Sequence, residues 1–224
     1  DLSIQVHPND QLAKERHNSF GKTEMWYVMQ ADANSSLIVG FKKDSNAAEY
    51  VENLNSKTLL SILDTVPVQV GDVFFLETGT VHAIGAGLLI AEIQQTSDIT
   101  YRLYDFDRVD ANGNTRELHV DLALDAINYK RIEAQKHYQK QENTSNEMVD
   151  CNYFTTNFIP LSGTMNFVKD GSTFHVYMCT AGSFTLKQDG IEYTYSAGDT
   201  ILIPAAISSY QFDGNASILE IYIK

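Results

Sequence analysis

Short runs rich in Val, Ile, Phe, Tyr and Thr, divided by turn residues at regular intervals, dominate the chain. Runs this short fall below ordinary helix length, and their composition suits a pleated, half-buried surface, so the pattern predicts an all-β chain. Strands are expected over residues 2–7, 24–30, 36–41, 73–76, 88–94 and 99–104, then over 153–158, 164–168, 174–179, 183–187, 191–195, 200–203 and 217–223. These form two β groups. Within the first, Ala47, Ala48, Val51, Leu54, Leu59, Leu60, Ile62 and Leu63 recur at a spacing closer to 3.6 than to 2, which predicts two short helices between Ser45 and Asp64. Val120 to Ile127 reads as one or two helical turns. Lys130 to Asp150 is polar, lacks a strong period and contains Asn143-Thr144-Ser145-Asn146, so it reads as the linker between the groups.

An internal echo points to two copies of one architecture. Gly71-Asp72-Val73-Phe74-Phe75-Leu76-Glu77-Thr78-Gly79-Thr80-Val81-His82 lines up with Gly198-Asp199-Thr200-Ile201-Leu202-Ile203-Pro204-Ala205-Ala206-Ile207-Ser208-Ser209, turn against turn and apolar run against apolar run. The first copy ends on a histidine and the second on Ser209, so only the first offers a metal ligand there.

Charge narrows the partners. Sixteen Lys and Arg against 29 Asp and Glu leave a formal charge of -13 over 224 residues, which provides no electrostatic footprint for nucleic acid or anionic lipid. No apolar run approaches the roughly 20 residues of a bilayer span, so a soluble protein is expected. Cys151 and Cys179 fit neither a disulfide framework nor a C-x-x-C motif, which favours a reducing, cytoplasmic setting with both thiols buried. Asp1 leads directly into a strand-like run without a Met, and an upstream segment is expected.

Alternate strand residues share a face, so Ser3, Gln5 and His7 point together, as do Lys22, Glu24 and Trp26. Unpaired polar groups inside a β-barrel are costly to bury, and a divalent metal would compensate them. His7, Glu24 and His82 offer two imidazoles and a carboxylate, with the Gln5 amide oxygen alongside. Nitrogen and oxygen donors without thiolate suit Zn(II), and also Mn(II) or Fe(II). Singly, His7 before Pro8 or His82 in a turn is more often a hydrogen-bonded surface histidine; the shared faces reverse that preference.

These residues also carry a family resemblance. The turn from Gly71 to His82 fits the second cupin motif, G-x5-P-x-G-x2-H, with Glu77 in the proline position, and Gln5-Val6-His7 with Glu24 resembles the first. The strings Gln5-Val6-His7-Pro8-Asn9-Asp10, Gly21-Lys22-Thr23-Glu24-Met25-Trp26-Tyr27, Gly79-Thr80-Val81-His82-Ala83-Ile84-Gly85 and Gln95-Thr96-Ser97-Asp98-Ile99-Thr100-Tyr101-Arg102-Leu103-Tyr104-Asp105 are similar to class I mannose-6-phosphate isomerases of the short bacterial form. The resemblance implies two cupin (double-stranded β-helix, jelly-roll) domains with a few short helices. They would comprise a metal-binding catalytic domain over 1–130 that lacks its N-terminal part, a linker over 131–150, and a C-terminal cupin-like domain without a metal site over 151–224. It further implies one zinc per chain on Gln5, His7, Glu24 and His82, catalytic roles for Arg102, Lys22 and Glu92, and substrate contacts from Ser3, Lys22 and Arg102. The partner would be a small sugar phosphate, and the oligomeric state a monomer or homodimer.

Interconverting mannose 6-phosphate and fructose 6-phosphate moves a proton between adjacent carbons through a cis-enediol. A divalent metal with three neutral ligands and one carboxylate keeps a net positive charge that favours the developing enediolate. Glu92 and Lys22 are both candidates for the base. Arg102 can hold a phosphate or enediolate bidentately, although charge pattern alone favours a surface pair with Asp105 or Asp107. Trp26 and Tyr27 read as barrel packing, His119, His137 and His175 as structural or solvated, and His17 as part of a solvated loop. The alternative function is a catalytically impaired cupin sugar-binding or regulatory module; a cupin oxygenase is disfavoured by Lys22, Glu92 and Arg102.

Overall fold

In the computed structural model, which describes residues 1–223, the first strand, β1 (Ile4–Val6), sorts its side chains as a two-residue period requires. Ile4 and Val6 are fully buried in an apolar cluster with Leu63, Ala83, Tyr101 and Leu103. Gln5 takes the opposite face, and its Cα pairs with His82 on one side and Arg102 on the other. The chain divides into two compact units, residues 1–135 and those from 136 onward.

The first unit contains two sheets. One runs β4 (Leu63–Pro67), β3 (Ser36–Phe41), β6 (His82–Ile84), β1, β8 (Tyr101–Tyr104); the other runs β7 (Leu88–Gln94), β2 (Glu24–Ala31), β5 (Val73–Leu76), β9 (Gln135–Lys136). The outer face of the first sheet is covered by α2 (Ala47–Asn55), α3 (Leu59–Ile62) and α4 (Val120–Leu124), which contribute Tyr50, Leu59 and Ala123 to its core. Its inner face meets the second sheet through Leu37, Val39, Trp26, Phe74 and Leu76. Because Val39 pairs with His82, that histidine lies on the inner face.

The second unit is a six-stranded sheet in the order β10 (Asn146–Asp150), β11 (Thr155–Val168), β15 (Ser209–Tyr222), β12 (His175–Gln188), β13 (Ile191–Ser196), with β14 (Thr200–Ile203) also paired to β12. Phe167, Tyr177, Phe184, Tyr210 and Phe212 fill its core.

The internal echo is structural. Gly71 and Gly198 both adopt left-handed backbone, at φ 89° and 98°. Asp72 accepts from the Gln69 amide at 2.9 Å and Asp199 from the Ser196 amide at 2.8 Å. Each turn exchanges two backbone bonds with one strand residue, Val28 in the first unit and Cys179 in the second. β2 therefore corresponds to β12, and β5 to β14.

Several expectations require correction. The stretch 131–150 is not a free linker: Asn146 is buried, its amide donating to Gln141, Thr144 and Phe158 carbonyls, and β10 pairs with β11. The polar run is thus consumed internally, and the second unit begins at 136 rather than 151. Strands expected separately at 153–158 and 164–168, and at 174–179 and 183–187, are continuous as β11 and β12, because glycines such as Gly163 and Gly182 bend the ladder at positive φ without ending it. β15 starts at Ser209, not 217. The chain around His17 is a helix, α1 (Asp10–His17), capped by the Asn9 side chain on the Leu12 amide at 2.9 Å. It buries only Ala13, so no apolar period announced it. β4 begins inside the stretch read as helical, and β6, three residues long, was too short to register. Cys179 is buried, whereas Cys151 is half-buried.

Candidate metal centre

His7 follows the last residue of β1, Glu24 opens β2 and His82 opens β6, so three strand ends bring one ligand each to a single point. One ligand atom from each residue lies within 4.8 Å of the others. All three side chains are at least 98% buried. His7 Nδ1 lies 2.8 Å from the Ile99 carbonyl oxygen and His82 Nδ1 2.8 Å from that of Thr80. Backbone acceptors therefore claim the Nδ1–H of both rings, and the two Nε2 lone pairs are left facing inward.

His7 Nε2 stands 3.2 Å from Glu24 Oε1, yet the two are not aligned as a hydrogen bond and Nε2 has no hydrogen-bond partner among the described residues. A buried imidazole nitrogen that spends no lone pair on protein, beside a buried carboxylate, is a donor pair suited to a cation. His82 Nε2 is 3.8 Å from Glu24 Oε2, and the Gln5 amide nitrogen, rather than its oxygen, lies 3.3 Å from it. Burial pushes His82 down to about 4 against the pull of Glu24, so the ring is neutral and able to ligate near pH 7. Burial alone would raise Glu24, but contacts with His7, His82 and Lys22 outweigh it and hold the carboxyl at about 2. The donor set fits a divalent metal.

Around this cluster, Lys22 donates to Glu24 Oε1 and, at 3.1 Å, to Glu92 Oε1. Glu92 sits on β7 directly across from Trp26, with about a third of its side chain exposed. Arg102 shares the inner face through its pairing with Gln5. Its Nη1 donates to the Glu117 carbonyl at 2.9 Å and its backbone amide to His119 Nδ1 at 3.0 Å, while its buried Nε has no partner among the described residues. The alternative surface pair does not form: Asp105 is taken by Arg108 and Arg116, and Asp107 by Lys57. Ser3 is buried just ahead of β1, and an irregularity between Ile4 and Gln5 separates it from the register of Gln5 and Arg102.

Sequence reading missed the part played by Trp26, whose indole N–H donates to Glu24 Oε2 at 3.1 Å, and the carbonyls of Ile99 and Thr80. Backbone acceptors leave no trace in residue identity. His17, expected in solvent, lies 2.8 Å from the Tyr101 hydroxyl.

Comparison with known proteins identifies the family. Residues 144–223 match the family described as mannose-6-phosphate isomerase, cupin domain. The chain is 34% identical to mannose-6-phosphate isomerase ManA of Bacillus subtilis, over 98% of its own length and 70% of that protein's. It is likewise 34% identical to the mannose-6-phosphate isomerase of Streptococcus mutans, over 97% and 69% respectively. The crystal structure of the mannose 6-phosphate isomerase from Bacillus subtilis superposes with a TM-score of 0.91 at 30% identity, covering 99% of this chain and 71% of that one. On its inward-facing imidazoles, its buried carboxylate and these relatives together, the chain belongs to the mannose-6-phosphate isomerase family.

Proposed function

We propose that the chain interconverts mannose 6-phosphate and fructose 6-phosphate by moving a proton between C1 and C2 through a cis-enediol, with the chemistry in the first unit. The observation that carries the reading is the buried His7, Glu24 and His82 cluster, with two imidazoles oriented by backbone carbonyls and a carboxylate held by Lys22, which also reaches Glu92, in a chain of this family. Gln5, His7, Glu24 and His82 would hold one divalent ion, zinc by the preference of this donor set, which supplies Lewis acidity towards the sugar oxygens.

The remaining work falls to the chain's own groups. Glu92 is exposed enough to meet substrate, and Lys22 occupies only its Oε1, so Oε2 is the atom we assign to take and return the proton. Lys22, clamped between two carboxylates, fixes the orientation of Glu92 and presents an ammonium to the substrate oxygens. Arg102, whose Nη1 is held by the Glu117 carbonyl, supplies a planar cationic donor group that binds the phosphate or the anionic oxygens of the enediol. For Ser3, buried just ahead of β1, the substrate contact rests on the family resemblance alone. The second unit lacks the histidine that the echo would require at Ser209, and we assign it a structural role without metal.

A coupled assay for conversion of mannose 6-phosphate to fructose 6-phosphate, with metal content determined before and after chelation, tests this. Activity lost on chelation and restored by zinc is expected. One bound metal without turnover would overturn the catalytic reading in favour of a sugar-binding module.

A further inference from the structure

Trp26 is the chain's single tryptophan, and it is 1% exposed. An indole carries one donor and no acceptor, and a buried donor without a partner is costly. Its partner here is Glu24 Oε2, at 3.1 Å. The ring also stands edge-on to His82, with centroids 5.3 Å apart and planes at 82°. Trp26 therefore touches two of the three clustered ligands, while Lys22 holds the other oxygen of Glu24. With Oε1 gripped from one side and Oε2 from the other, the plane of the carboxylate is set before any ion arrives.

The second unit repeats the device. Val28 and Cys179 occupy matching places against the two Gly-Asp turns, so Trp26 and Tyr177, each two residues earlier, also match. The Tyr177 hydroxyl donates to Glu220 Oε1 at 2.9 Å, and Glu220 is 1% exposed. In both units the aromatic residue at this place supplies a hydrogen bond to a buried carboxylate. Packing alone would be met by Phe, which has no such donor.

We propose that Trp26 is a positioning residue for metal binding: its indole N–H fixes Glu24 in the orientation that ligates, and so sets how tightly the ion is held. The inference rests on the metal reading above. Outer hydrogen bonds to ligating groups are worth on the order of 10- to 100-fold in metal affinity. Trp26→Phe keeps an aromatic ring and removes the donor, whereas Phe74→Leu, on β5 directly opposite Trp26, disturbs the packing and keeps the donor.

The test is a zinc titration against a competing chelator on the whole chain. The expected result is a Kd raised about 10- to 100-fold in Trp26→Phe and by less than about threefold in Phe74→Leu. The unique indole N–H resonance of the parent should also move on zinc addition, with no such movement in Glu24→Gln. Equal zinc affinity in Trp26→Phe and parent, or a resonance indifferent to zinc, would overturn the proposal while leaving the metal site standing. A parent that binds no zinc would overturn both. Should Trp26→Phe fail to fold, the parent resonance decides.

Discussion

The backbone amide of Gly79 donates to the carbonyl oxygen of His7 at 2.9 Å, tying the residue that follows β1 to the turn that delivers His82. Gly79 has φ 89°, and a Cβ there would lie 2.7 Å from the Ala126 carbonyl oxygen and 3.2 Å from the Asn128 amide nitrogen, both backbone atoms that cannot swing aside. Two ligands of the cluster thus depend on one residue having no side chain.

Gly79→Ala should therefore cost about 2 kcal/mol or more of stability and weaken zinc binding as well. Gly113→Ala is the control: at φ 84° with open space around it, it carries the backbone strain alone. Denaturant unfolding and zinc titration of both variants measure the difference. Equal losses in the two would show that the crowding at Gly79 is immaterial.

His82→Ala should abolish metal retention and turnover together, because it removes a ligand whose Nδ1 is already committed to Thr80. Metal content after dialysis, read beside the coupled assay, reports this. A variant that kept full activity would refute the assignment of the centre.

Arg102→Lys is expected to retain its metal yet lose at least about 100-fold in kcat/KM, since an ammonium cannot reproduce a planar, two-pronged donor towards phosphate or enediolate oxygens. Loss of metal in this variant would instead place Arg102 in support of the ligands.

In the second unit, Glu220 accepts from Asn157 at 2.9 Å, Lys169 at 2.6 Å and Tyr177 at 2.9 Å, with His175 Nδ1 at 3.5 Å. Burial would raise its carboxyl, but His175, Lys169 and Asn157 prevail and hold it well below its ordinary 4.5. A carboxyl lowered by folding contributes stability that is complete above 4.5 and is lost as pH falls below it towards the folded value. Glu220→Gln should cost about 3 kcal/mol at pH 7, by leaving Lys169 without its charge partner, and should flatten the loss of stability between pH 5 and 3. Unfolding free energies measured across that range for parent and variant check it; parallel curves would count against the pair.

What the sequence determined by itself was the local grammar. The two-residue period put Gln5 and His7 opposite Ile4 and Val6, the Gly-Asp echo marked two matching turns, and the spacing of apolar residues located α2 and α3. Those signals depend only on neighbouring residues and on the stereochemistry of turns, so they survive without knowledge of the fold. The tertiary structure decided everything that depends on partners distant in the chain. Arg102 could be read as a surface ion pair until Asp105 was found committed to Arg108 and Arg116. Trp26 passed for packing because nothing local says where an indole N–H will point. The polar run from Lys130 to Asp150 reads as a linker because a partner such as the Phe158 carbonyl, twelve residues on from Asn146, is met only when β10 lies beside β11. A polar side chain's role is set by what desolvates it and what it then bonds to, and those are long-range properties of the packed chain.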